Sequence, residues 1–158
     1  VLDGVLSQSE TQAEELWRYR EWISESISHR TPYKNDVSVR VGQVTDFLLN
    51  LDELVKQHYP EYEVLWYGHI GDGNLHMNVL RPESMSIDAF HQQSERLSDV
   101  VYGAVSQYQG SISAEHGVGL LKKAWLHESR SEAERGLFRS IKSVFDPAGI
   151  LNPGKLID

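Results

Sequence analysis

His69, His76, Glu115 and His116 are the residues whose types and spacing could hold a metal ion and move a proton. Two imidazoles and a carboxylate satisfy a divalent cation while leaving positions open for water or substrate. Zinc suits such a set, and iron(II) and manganese(II) share its ligand types. Neighbouring residues in extended chain point opposite ways, so Glu115 and His116 divide the work. With His69, His76 and Glu115 as metal ligands, His116 is a proton acceptor near operating pH. Arg20 and Lys34 add positive charge for an anion, and Ser24, one turn past Arg20 on the same helical face, adds a hydroxyl. The competing role for Arg20 is to snorkel its guanidinium past an apolar edge to water. The set describes a small carboxylate-bearing substrate, polarised by a metal and deprotonated by a histidine.

The histidines must be brought together by the stretch Y-G-H-I-G-D-G-N-L-H-M-N-V-L, residues 67–80. Asp72-Gly73 between two apolar runs is a hairpin signal. A two-residue turn there pairs positions that sum to 145, so His69 faces His76 and Tyr67 faces Asn78. Paired Cβ atoms in a sheet are roughly 4.5–5.5 Å apart. Val64, Trp66, Ile70, Leu75, Met77 and Val79 fall on the apolar face. His69, His76 and Asn78 fall on the polar one.

Around the hairpin the sequence predicts a helix over 9–28 with Leu16, Arg20, Ile23 and Ile27 inward, and a strand over 33–41. A helix over 44–58 follows, and after the hairpin a helix over 86–109 and a short strand over 111–114. From 33 onward this spells βαββαβ, the ferredoxin-like arrangement: an α+β fold whose antiparallel sheet carries helices on one face and leaves the other free. Beyond it come a short helix over 120–127, in which Lys122-Lys123 reads as a solvated basic pair, and a final helix over 131–145. Ser131 and Glu134 form a capping box for that helix. The tail holds two Pro/Gly turns and looks shaped to dock.

At 158 residues the chain fits one domain. A net charge of −8 argues against nucleic acid. The absence of cysteine excludes disulfides and thiolate chemistry and is compatible with a reducing compartment. No run approaches a membrane span, no signal pattern opens the chain, and no dinucleotide fingerprint or phosphate-cradling loop is present. The opening V-L-D-G-V-L-S-Q-S reads as the end of a strand or loop cut from a longer chain.

G-H-I-G-D-G-N-L-H-M-N, S-A-E-H-G-V-G and F-D-P-A-G-I-L-N-P-G-K resemble, in order and spacing, the C-terminal FAD-linked oxidase domain of the vanillyl-alcohol-oxidase-type flavoproteins. L-W-R-Y-R-E and P-Y-K-N-D-V-S-V resemble its D-2-hydroxyglutarate dehydrogenase branch. D-lactate dehydrogenases and glycolate oxidase subunits share the H-x-G-D-G-N-x-H core. The resemblance implies that residues 1–158 are the substrate-binding cap of such an enzyme. Its FAD would be held mainly by an N-terminal FAD-binding domain of the same protein. By matching positions, His69, His76 and Glu115 are the implied ligands of a divalent metal, with zinc favoured. His116 is the implied catalytic base, Arg20, Ser24, Lys34 and Asn78 hold the substrate, and Asn152 lies near the flavin. Ser24 replaces the branch's usual Thr and keeps the hydroxyl. The implied partners are a 2-hydroxy acid substrate and an electron-acceptor protein or quinone, in the cytoplasm or, in a eukaryote, the mitochondrial matrix. The alternatives are the cap of a D-lactate dehydrogenase or glycolate oxidase subunit and a stand-alone His/His/Glu metal-binding ferredoxin-like module.

Overall fold

Tyr33–Ser38 (β1), Glu63–His69 (β2) and Asn74–Leu80 (β3) form an antiparallel sheet in the order β1-β3-β2 in a computed structural model that describes residues 3–157. The middle strand, β3, is buried along its whole length. Val37 on β1 and Leu75, Met77 and Val79 on β3 point to one face. Two helices cover it: Val44–His58 and Ile87–Gln107. In the first, Val44, Phe47, Leu51 and Val55 recur at helical spacing and are buried. In the second, Phe90, Leu97, Val101 and Val105 do the same. Polar groups on this face find partners inside the core: Tyr102 donates its hydroxyl hydrogen to Asn35 Oδ1 at 2.7 Å, and Trp66 Nε1 donates to Asp52 at 2.9 Å. The Tyr102 hydroxyl and the Trp66 indole N–H are thereby satisfied, whereas Asn35 Nδ2 is buried without a partner.

The fourth strand of the expected βαββαβ order is reduced to one antiparallel bridge between Ser38 and Ser111. It lies on the outer side of β1, where a ferredoxin-like sheet would carry it. Gly110 permits the approach, because a Cβ there would stand 2.3 Å from Ser38 O. Pairing stops at once because the next residues turn their N–H groups to a side chain of β1, described below.

The hairpin register differs from the expected one. His69 pairs with Asn74, Tyr67 with His76 and Leu65 with Asn78, so positions sum to 143. The loop is Ile70–Gly73, closed by Asp72 N–H donating to His69 O at 3.2 Å. A two-residue Asp-Gly turn of the common hairpin kind needs positive φ at both residues. Here only Gly73 adopts it, at 74°. A Cβ on Gly73 would also stand 1.9 Å from Val39 O, so the residue is held by β1's extension as well as by the turn. A slip of two preserves the faces: only Ile70 leaves the apolar set, to lie exposed in the loop.

The first helix breaks at Trp22 into Glu10–Glu21 (α1) and Ile23–Ser26 (α2); with these counted, the two core helices are α3 and α4. Ser9 caps α1 by accepting from Gln12 N–H. Residues 3–8 form no helix or strand, and Val1 and Leu2 of the predicted cut end lie outside the described residues. The segment after the bridge is irregular up to a 3-10 turn over Lys123–Glu128, which Trp125 ties to α4 through Asp99 at 2.8 Å. Glu132–Phe145 (α5) carries the expected capping box. Its stripe is not inward: Leu137, Ile141, Val144 and Phe145 are all exposed.

Candidate active site

The open face of the sheet gathers side chains from the first two helices, the three strands and the 113–116 loop. β1 pairs with β3 so that Asp36 faces His76 and Lys34 faces Asn78. His76 Nε2 lies 3.2 Å from Glu115 Oε1, and the His116 ring stacks on the His76 ring with centroids 5.4 Å apart. His116 Nε2 is 3.5 Å from the same Glu115 oxygen. Ligating atoms of Asp36, His76, Glu115 and His116 all lie within 4.8 Å of one another. That spread suits donors around one divalent ion. Two imidazoles and two carboxylates are the donor types zinc, iron(II) and manganese(II) accept.

His69 stands diagonal to His76, its ring centroid 5.8 Å away, as a consequence of the two-residue slip. Its Nε2 receives Arg20 Nη2 at 3.4 Å, and the Asn74 amide is 3.3 Å from Nδ1. Arg20 also lies over the Tyr67 ring at 5.2 Å, so the end of α1 reaches across the open face. Lys34 Nζ donates to Ser24 Oγ at 2.6 Å. Arg20, Ser24 and Lys34 are thus drawn to the face that carries the histidines. Asn78 is buried beneath them with its Oδ1 lacking a hydrogen-bond partner. Asn152 makes none of these contacts. It lines, with Glu115, Gly119 and Lys155, a cavity of about 540 Å³ between the 111–119 loop and the tail. Leu156 N–H donates to Gly119 O at 2.9 Å, which docks the tail on that loop.

Two residues of the site lay hidden in the sequence. Asp36 stood within the expected 33–41 strand with nothing in the sequence to mark it as part of a site. It is 2% exposed, and its Oδ2 accepts N–H groups from Ala114, Glu115 and His116. Lys122, expected to be solvated, is buried and donates Nζ to Asp36 O at 2.8 Å and Ile112 O at 2.7 Å. An ammonium is normally kept in water. Two carbonyls and the nearby Asp36 carboxylate replace that hydration here. No local signal separates Lys122 from Lys123, because the carbonyls it meets lie on other segments.

The electrostatics follow from this burial. Burial pushes the pKa of His76 below the ordinary imidazole value, outweighing Glu115 and Asp36, so His76 is neutral and offers a lone pair at neutral pH. Burial opposes ionisation of Asp36. The His116 and Glu115 N–H groups and the Lys122 charge overcome it and hold the carboxyl below its usual range.

Residues 1–156 match the family described as FAD linked oxidases, C-terminal domain, and the chain belongs to that family. Within it, the chain is 55% identical over 156 residues to D-2-hydroxyglutarate dehydrogenase of Stutzerimonas stutzeri (strain A1501), covering 99% of this chain and 34% of that protein. It is 49% identical over 158 residues to D-2-hydroxyglutarate dehydrogenase of Xanthomonas citri pv. viticola, covering 100% and 34%. Against mitochondrial D-2-hydroxyglutarate dehydrogenase of Danio rerio the identity is 37% over 160 residues, covering 99% and 28%. The chain spans about a third of the length of these relatives. Among the described residues no helix is long and apolar enough to cross a membrane.

Proposed function

We propose that this chain is the substrate- and metal-binding catalytic cap of an FAD-dependent D-2-hydroxy acid dehydrogenase, acting on D-2-hydroxyglutarate or a similar 2-hydroxy dicarboxylate. The observation that carries the reading is the meeting of His76, Glu115 and His116 with two cationic side chains on one open sheet face, the His69 ring centroid lying 5.8 Å from that of His76. The names of the relatives support the substrate class. His76 and Glu115, with His69 swung in from the Arg20 contact, hold the metal, for which zinc suits the donors. Arg20 binds one substrate carboxylate through its fork, and Lys34 with Ser24 binds the other as a point charge beside a hydroxyl donor. Asn78 has a free amide oxygen to accept a hydrogen bond from substrate. His116 is exposed beside Glu115 and takes the proton from the 2-hydroxyl. A divalent metal held there would supply polarisation of that hydroxyl, and a flavin would supply the acceptor for the hydride of carbon 2.

The imidazole and carboxylate donors fit a metal, and the cationic pair fits carboxylates; the sequence carries no Gly-rich phosphate cradle, and the FAD would be held by an N-terminal FAD-binding domain of the same protein. An acceptor protein or quinone would take the electrons. The compartment is the cytoplasm, or the mitochondrial matrix in a eukaryote, in keeping with the mitochondrial name of the Danio rerio relative.

The test is flavin bleaching in the metal-analysed full-length protein with D-2-hydroxyglutarate, D-lactate and glycolate, and with His116→Ala as control. Fast bleaching by the dicarboxylate, lost in the variant, is the expected result. Bleaching by D-lactate or glycolate alone would move the assignment to those enzymes. Metal without bleaching by any of them would overturn the 2-hydroxy acid reading.

A further inference from the structure

The Asp36 carboxylate is committed on one oxygen and free on the other. Oδ2 accepts the consecutive N–H groups of Ala114, Glu115 and His116 at 3.0, 3.0 and 2.9 Å, and the Ser113 hydroxyl at 3.2 Å. Three successive N–H groups turned to one anion form a backbone nest. Oδ1 is buried, has no hydrogen-bond partner, and lies 3.8 Å from His76 Nδ1. The other ring nitrogen of His76 faces Glu115. Sheet pairing ends at the Ser38–Ser111 bridge, so residues 113–116 have no ladder to hold them. Glu115, His116 and Gly117 are exposed. A loop of that kind would drift, and with it the two side chains the chemistry needs.

We propose that Asp36 is the positioning residue of the site: Oδ2 fixes the backbone from which Glu115 and His116 project, and Oδ1 turns the His76 ring so that Nε2 meets the metal beside Glu115. The proposal rests on the reading above, in which Glu115 and His76 hold the metal and His116 takes the proton. Four donors occupy Oδ2, and Oδ1 faces the ring nitrogen away from Glu115. Asp36 therefore acts through its neighbours: it holds the loop by hydrogen bonds and sets a carboxylate oxygen 3.8 Å from the His76 ring nitrogen that a metal on Nε2 would leave free, the side from which a carboxylate orients a ligating histidine. Its strand position supplies the precision. β1 is paired along its length with β3, so Asp36 and His76 are set by one register. Lys122 ties the same Asp36 peptide to Ile112 at the root of the loop.

The experiment compares the wild-type full-length protein with Asp36→Asn. It reads metal affinity, kcat and KM, and hydrogen exchange at the amides of residues 114–116. An asparagine cannot serve both sides. Its NH2 either opposes the three backbone donors or opposes His76. The expected result is a metal affinity about 10–100-fold weaker. A lower kcat with little change in KM should accompany it, since Arg20, Ser24 and Lys34 do not touch Asp36. Exchange should accelerate at 114–116 and not in α3 or α4. A folded variant with wild-type affinity and unchanged exchange overturns the proposal while the reading of the site stands. Should the variant fail to fold, the wild type alone decides: amides 114–116 must be protected although the loop is exposed, and free-loop exchange rates overturn the proposal. If the wild type binds no metal and is bleached by no 2-hydroxy acid, the reading of the site falls first and takes the proposal with it.

Discussion

The two faces of the same three strands have been put to opposite uses. The covered face is built from neighbours that recur at short intervals, with Phe47 against Trp66 and Tyr108 at ring-centroid distances of 6.4 and 5.4 Å. Close packing holds each of these side chains by many small contacts. The open face holds few such contacts and is organised by charge: Asp36 under a nest, Lys122 on two carbonyls, Arg20 over Tyr67. Packing stabilises the domain without choosing any chemistry, whereas the charged face spends burial on groups that would be better solvated. Stability and function are thus separable by face, and that separation can be tested.

The largest effect expected is on the open face. His116→Ala should lower kcat by about 10²–10⁴-fold, the usual worth of a positioned general base, while its unfolding free energy changes by no more than about 0.5 kcal/mol. A matching loss of stability would show that the open face also carries the fold. On the covered face, Phe47→Ala should cost about 3–5 kcal/mol in denaturant unfolding, with kcat of the remaining folded enzyme unchanged. Lys34→Met should sharpen the picture within the open face. Losing a charged hydrogen bond of about 1.5–3 kcal/mol should raise KM for D-2-hydroxyglutarate by roughly 10–100-fold and spare D-lactate.

The smallest effect is a pH dependence. Asp36 has a folded pKa below its ordinary value of 3.8. Its contribution to stability is therefore complete above that value and is lost as the pH falls through the lowered one. Acid unfolding below about pH 4 should show this slope in the wild type and lack it in Asp36→Asn.

A second contrast sets the αβ layer against the terminal helices. α5 shows a strong apolar stripe, yet Leu137, Ile141, Val144 and Phe145 remain exposed, as do Trp17 and Trp22 at the N-terminal end. The periodicity of these residues is helical. It cannot say what lies opposite, because amphipathicity is a property of one helix and burial a property of two.

Local pattern by itself determined α3, α4, the capping box of α5, the alternation of the hairpin faces and the chemical types gathered in H-x-G-D-G-N-x-H and E-H-G. Each depends on residues within a turn or two of one another, where spacing fixes direction. The hairpin register was decided instead by Gly73, which has a positive φ and accepts the Val39 N–H at 3.2 Å from the chain just past β1, 34 residues earlier. Asp36, Lys122 and the loss of the fourth strand were decided in the same way. The donors Asp36 accepts lie 78 to 80 residues further along the chain. The Ser38–Ser111 bridge on the outer side of β1, with Lys122 tying Asp36 O to Ile112 O, brings them together, and a carboxylate's worth depends on which N–H groups surround it once water has been excluded.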